Sequence, residues 1–189
     1  MQFEDDIKKA LETLRTGGII LYPTDTIWGL GCDPTNREAV KKIFGIKSRS
    51  ASKSLIILVN NDDMLARYVK EIPDTARQLY SVSDSPLTII YPQGKNLAEG
   101  VCNEDGSVGI RICNNDFCQE LITRFRKPLV STSANLTGLQ APQIFEEIDE
   151  EIIRSVAYVV RHRQDDRQKH SASPVIKIDK NGVISILRK

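Results

Sequence analysis

Short apolar runs recur along the whole chain, and stretches of helical periodicity separate them. The runs are "IILY" (19–22), "LIILV" (55–59), "PLTIIYP" (86–92), "SVGIRI" (107–112) and "PLVS" (128–131). Each is too short for a buried helix and is bounded by turn residues, so each reads as a strand. Between them, Phe3, Ile7, Ala10, Leu11 and Leu14 share one helical face, as do Phe117, Leu121, Ile122 and Phe125. Strands and helices that intermix over 189 residues, with no linker and no repeat, imply a mixed sheet covered by helices. The expectation is a single three-layer α/β (α+β) domain spanning 1–189, built on about seven strands.

Local signals set the boundaries. Asp5 and Asp6 suit the positive start of the first helix, and Gly17-Gly18 suits its end. Pro23 stops the first strand, and a glycine-punctuated loop, "TDTIWGLGCD", follows. Thr35 to Glu38 has the capping-box pattern and opens a helix to about Phe44. Further helices are expected at 61–69, 73–82, 115–126 and 142–155, and "AYVVR" admits a strand. "PVIKI" and "VISIL" form a hairpin about a type I′ turn at Asn181-Gly182.

Charge and composition remove several function classes. The net charge of +1 announces no nucleic-acid surface, although a local basic patch remains open. No apolar run approaches the ~20 residues of a membrane span. The first residues, "MQFEDDIKKA", place acids before bases without an apolar signal core, which leaves the cytoplasm as the expected location. Cys32, Cys102, Cys113 and Cys118 form no CxxC pair and read as reduced thiols, with no zinc site. His162 and His170 lie in "RHRQDDRQKH", which reads as an exposed loop. No protein metal site is expected.

Three polar clusters can carry chemistry. In "PTDTIWGLG" (23–31) a strand ends at Pro23, so Thr24, Asp25 and Thr26 either project into a crevice or bond their own backbone in a turn. Trp28 packs or stacks a ring. Lys47, Arg49 and Lys53 lie in a basic, serine-rich stretch. If 47–49 is extended, Lys47 and Arg49 point the same way and suit a polyphosphate; otherwise they are a solvated loop. In "PLVSTSAN" (128–135), Ser131, Ser133 and Asn135 either hold phosphate oxygens or cap a turn. There is no GxxxxGK[ST] and no GxGxxG, so a nucleotide would be held some other way. No Ser-His-Asp set and no paired carboxylates stand out, which favours chemistry by positioning and charge neutralisation.

The ordered set "PTDTIWGLGCD", "KSR" before "SLIILV", "SPLTII", "GSVGIRI", "LVSTSANLTG" and "SASPVIKI" resembles the YrdC/TsaC family over nearly the whole chain. That resemblance implies a twisted mixed sheet with a basic cavity. It implies synthesis of L-threonylcarbamoyladenylate and pyrophosphate from L-threonine, bicarbonate and ATP with Mg²⁺, for tRNA modification. It assigns Lys47 and Arg49 to catalysis and the nucleotide, with Ser133, Asn135, Lys53 and Arg188 also toward ATP. Thr26, Arg111, Ser131 and Ser173 fall toward threonine. The later transfer enzymes of the pathway would be its partners. The chain departs from the family pattern at Ser50, Ser54, Leu58 and Pro174. Two alternatives stand beside this reading. One is another carbamoyl-handling enzyme of the fold, such as a YciO-like paralogue. The other is a module whose basic cavity contacts tRNA or double-stranded RNA, which the sparse aromatics weaken.

Overall fold

The computed structural model describes residues 3–47 and 55–189. The strands are β1 (Ile20–Tyr22), β2 (Gly29–Gly31), β3 (Ile56–Val59), β4 (Thr88–Tyr91), β5 (Val108–Ile112), β6 (Leu129–Ser133), β7 (Tyr158–Val159), β8 (Val175–Ile178) and β9 (Ile184–Arg188). The helices are α1 (Glu4–Arg15), α2 (Arg37–Ile46), α3 (Asp62–Tyr68), α4 (Asp74–Val82), α5 (Asp116–Phe125) and α6 (Glu150–Ser155). The strands join one mixed sheet in the order β7-β1-β2-β6-β3-β5-β4-β8-β9. Pairs β1–β7, β3–β5 and β4–β8 are parallel, and the rest are antiparallel. The mixed α/β expectation holds, with nine strands where about seven were expected.

One strand missing from the sequence reading is β2, because "GLG" has no β propensity of its own. Its neighbours make it a strand. It lies between β1 and β6, with Tyr22 opposite Gly29 and Leu30 opposite Thr132. The Tyr22 ring crosses Gly31 to donate its hydroxyl hydrogen to the Val130 carbonyl at 3.0 Å. A Cβ at Gly31 would stand 2.5 Å from Tyr22 Cε1 and 3.1 Å from the Val130 oxygen.

Helix α1 ends in a Schellman motif: Gly17 has φ of 72°, and Gly18 N–H reaches Thr13 O at 2.8 Å. Asn36, not Thr35, caps α2, accepting from the backbone of Glu38 and Ala39. Thr35 instead bonds Asp33. Asn61 and Asn115 cap α3 and α5 in the same way. The expected helix over 142–155 is split into a 3-10 turn, Phe145–Glu147, and α6. Asp149 accounts for the break, since its carboxylate caps α6 by accepting from Glu151 N–H. The final hairpin does not use a two-residue I′ turn. Gly182 (φ 80°) is left-handed but Asn181 is not, and Asp179 N–H bonds Val183 O at 3.1 Å. The loop is therefore the three-residue type that ends in a left-handed glycine. All four cysteines are free.

His162 is not a solvated loop residue. Its ring lies 4.9 Å from that of Phe3 and 5.8 Å from that of Phe117. Asp6 draws the segment in, accepting from the Tyr158 hydroxyl at 2.5 Å, Arg161 N–H at 3.1 Å and His162 N–H at 2.9 Å. Asp6 is thus a buried clamp as well as a residue of the first turn.

Two outcomes follow from this packing. Gly31→Ala overpacks a rigid site and should destabilise by about 1–3 kcal/mol. A thermal melt should show a fall of roughly 2–12 °C. Burial, and then the Arg163 charge, hold the His162 pKa below its usual 6.5. Between that lowered value and 6.5 the unfolded chain binds more protons, so stability rises with pH through this window and is fully present above it. His162→Phe should shrink the loss of melting temperature seen on acidification through that window.

Candidate active site

Residues directly opposite in a sheet share a face, and every second residue of a strand does too. The observed register therefore collects the polar residues. Ser131 faces Ile56, Ser133 faces Gly29, Leu58 faces Arg111, and Arg188 faces Val175, which itself faces Thr88. Arg111, Ser131, Ser133, Thr88 and Arg188 thus emerge on one side. A cavity of about 240 Å³ opens there, lined by Thr26, Trp28, Arg111, Ser131, Ser173 and Arg188 among others. Gly29 keeps it open, since a Cβ there would lie 3.1 Å from Ser131 Oγ.

Arg111 projects from β5 with 4% of its side chain exposed. Its Nη1 donates to Ser173 Oγ at 3.1 Å, and its Nη2 lies 2.8 Å from Asp25 Oδ1 and 3.5 Å from Thr24 Oγ1. The Asp25 contact is an ion pair without the alignment of a hydrogen bond, and Arg111 Nε has no hydrogen-bond partner. Ser173 also joins a second guanidinium: its carbonyl accepts from Arg188 Nε at 2.9 Å and Nη2 at 2.7 Å. Burial, and then the charge of Arg111, push the Arg188 pKa down from its usual value. Two cations joined on one serine at the wall of the cavity make a seat for an anion.

The β1–β2 loop is tied by Thr24. Its hydroxyl donates to Ile27 O at 2.8 Å and accepts from Thr26 N–H at 3.0 Å. The Thr24 proton is committed, so across the 3.0 Å contact between the hydroxyls Thr26 is the donor. Lone pairs of Thr26 Oγ1 are left to accept a hydrogen bond from a ligand. Trp28 packs tilted against Phe145 with ring centroids 4.9 Å apart and is 6% exposed, which makes it a packed wall of the cavity.

Lys47 is the C-cap of α2 with φ of −75° and ψ of −5°, not part of an extended segment. Its ammonium turns into the Ser133–Asn135 bend. It donates to Ser133 O at 2.7 Å, Asn135 O at 2.5 Å and Asn135 Oδ1 at 3.1 Å. Asn135 Oδ1 also accepts from Ser133 Oγ at 2.5 Å, and its amide donates to the carbonyls of Leu136 and Leu139. The turn uses its polar groups on a lysine of this chain and on its own carbonyls. Arg49 and Lys53, and the departures Ser50 and Ser54, lie outside the described residues. Leu58 is fully buried, and the Pro174 carbonyl accepts from Thr88 N–H at 3.0 Å.

The structure thus brings together Thr26, Arg111, Ser131, Ser133, Ser173 and Arg188, with Lys47 and Asn135 at the rim through Ser133. Asp25 and Thr24, left open between crevice and turn by the sequence, join the site behind Arg111, and Ala172 lines the cavity without having been singled out. A larger hollow, about 740 Å³, lies between α1 and residues 161–166. Its most buried carboxylate, Asp6, is taken up by Tyr158, Arg161 and His162. Among the described residues no cluster of His, Cys, Asp and Glu could hold a metal ion. No described helix is long and apolar enough to cross a membrane.

Known proteins resemble this chain in sequence and in fold. A threonylcarbamoyl-AMP synthase of Vibrio campbellii is 33% identical over 169 residues, covering 88% of this chain and 91% of that protein. One from Pseudoalteromonas translucida is 34% identical over 163 residues, covering 85% and 87%. The crystal structure of P. abyssi Sua5 complexed with L-threonine superposes with a TM-score of 0.85 at 26% identity over 96% of this chain. It covers 53% of the Sua5 chain, so this chain spans about half of that protein's length. E. coli YciO, at 23% identity and a TM-score of 0.83 over 97% of this chain and 88% of its own, shares the fold. Residues 12–189 match the Sua5/YciO/YrdC family model, which is described as telomere recombination. The chain belongs to the Sua5/YciO/YrdC family.

Proposed function

We propose that this chain is an L-threonylcarbamoyladenylate synthase, converting L-threonine, bicarbonate and ATP to threonylcarbamoyl-AMP and pyrophosphate for threonylcarbamoyl modification of tRNA. The observation that carries this reading is the pair of guanidiniums on Ser173, opposite a face of hydroxyls and beside an anchored lysine. Such a cavity offers a carboxylate and a chain of phosphates separate positive partners. Similarity to threonylcarbamoyl-AMP synthases and to a Sua5 that binds L-threonine supports it.

In this reading Arg111 receives the threonine carboxylate at the cavity wall, and Thr26 Oγ1 accepts a hydrogen bond from its hydroxyl or amine. The amine forms a bond to the bicarbonate carbon, water leaves with the displaced oxygen, and a carbamate results. A carbamate oxygen then attacks the α-phosphorus of ATP, and pyrophosphate departs. Lys47 and Arg188 neutralise charge on the phosphates, with no protein nucleophile. Arg49 and Lys53 would add to that charge by family resemblance. Lys47 has spent its three donors on carbonyl and amide oxygens. To touch a phosphate it exchanges one of them, and the contact with Asn135 Oδ1, at 3.1 Å, is the longest. Mg²⁺ travels with ATP. Asp25 is committed to Arg111, so the cavity offers hydroxyls and carbonyls, and the ion would be held mainly by phosphates.

Pyrophosphate release with ATP and bicarbonate should therefore depend on L-threonine, with serine weaker and valine weakest. Thr26→Val keeps the shape and removes one hydroxyl. It should narrow the threonine-to-valine preference by about 2- to 10-fold and leave the KM for ATP largely unchanged. Equal turnover of threonine and valine by the unaltered protein would overturn the assignment. Asn135→Ala removes an acceptor of Lys47 and two donors to carbonyls. It should lower both the melting temperature and nucleotide affinity, whereas Ser133→Ala, which deletes one bond to Asn135, should do less of each. Titration with a nonhydrolysable ATP analogue beside a thermal melt checks this.

A further inference from the structure

Asp25 is the one charged residue of the β1–β2 loop, and the proposed reaction as written above gives it no task. A loop aspartate commonly bonds its own backbone. In this loop the local bonding belongs to Thr24. The carboxylate of Asp25 instead reaches across the fold. Oδ1 lies 2.8 Å from Arg111 Nη2, and Oδ2 accepts from Asn114 N–H at 3.4 Å. Both residues of the pair are more than nine-tenths buried. Asp25 faces a hollow on the far side, lined also by Asn60, Cys113 and Asn114, while Arg111 faces the substrate cavity. The pair is the partition between the two.

A buried ion pair is a poor way to gain stability, because apolar residues of similar volume serve as well. It fixes orientation. Ser173 takes one end of the guanidinium and Asp25 the other, so the head group of Arg111 is held between two segments at the wall of the substrate cavity. We propose that Asp25 is a positioning residue: it holds the Arg111 guanidinium from behind, at the wall of the substrate cavity, for the carboxylate of the amino-acid substrate. This rests on the synthase reading above. Asp25 does not touch substrate. Its carboxylate also cancels one of the two positive charges joined at Ser173, so the threonine end of the cavity is balanced for a single carboxylate and not for a phosphate.

The test compares two KM values. Asp25→Asn keeps the shape and removes the charge, and Asp25→Ala removes both. Each should raise the KM for L-threonine at least tenfold while the KM for ATP changes less than twofold. Some loss of melting temperature is expected from stranding Arg111 and does not bear on the ratio. A second experiment uses chemical rescue. In Arg111→Ala, millimolar guanidinium should restore part of the threonine-dependent pyrophosphate release, because Asp25 and Ser173 still cradle it. In Arg111→Ala/Asp25→Asn it should not. Equal changes in both KM values, no change in either, or rescue that survives the loss of Asp25 would overturn the inference. If Arg111→Ala does not fold, the KM ratio of Asp25→Asn decides alone. An unaltered protein that releases no pyrophosphate in response to threonine would sink the synthase reading itself, and the role of Asp25 with it.

Discussion

Arg111 carries its charge into the middle of the sheet with 4% of its side chain exposed, and a guanidinium cannot shed that charge by losing a proton. Burial of this kind is tolerated only with opposite charge and acceptors in reach. Asp25, Thr24 and Ser173 supply them. The contacts tie the β1–β2 loop, strand β5 and the segment before β8 to one point. Ser173 extends the tie to Arg188 on the last strand. One buried cation therefore fixes the relative positions of segments drawn from most of the chain.

A second constraint works at the other rim. Helix α2 is started by Asn36 and ends with Lys47 in a helical conformation, which sends the ammonium into the Ser133–Asn135 bend. Three oxygens there satisfy its three donors. The cage fixes the position of that charge against the end of β6. Asn135 thus spends its Oδ1 on the lysine and its amide on the carbonyls of Leu136 and Leu139.

Between these anchors the floor is made by register. Strand β6 lies between β2 and β3, and its alternate residues Ser131 and Ser133 rise on the same side as Arg111. Gly29 opposite Ser133 leaves room above the strand, and Gly31 lets the Tyr22 ring pass over it to Val130. The glycines that looked like loop punctuation are there because side chains of neighbouring strands occupy the space a Cβ would need.

Much of this was legible beforehand. Periodicity located α1 and α5, apolar runs located most strands, and Gly17-Gly18 marked the end of α1, because these signals are carried by neighbours a few residues apart. Thr26, Ser131 and Ser133 stood out in polar clusters, Arg111, Ser173 and Arg188 were named through resemblance to a family, and the structure gathers all six around one cavity. Strand β2 and the packing of His162 against Phe3 and Phe117 were not legible. Nor was the pairing of Asp25 with Arg111, which are 86 positions apart, or of Lys47 with Asn135, 88 apart. The physical reason is the same in each case. A local pattern determines whether a segment is helical or extended and which of its faces is apolar. Which charges meet, and which polar face looks into a cavity, depends on strand order and register, and those are decided only when the whole sheet closes on its core.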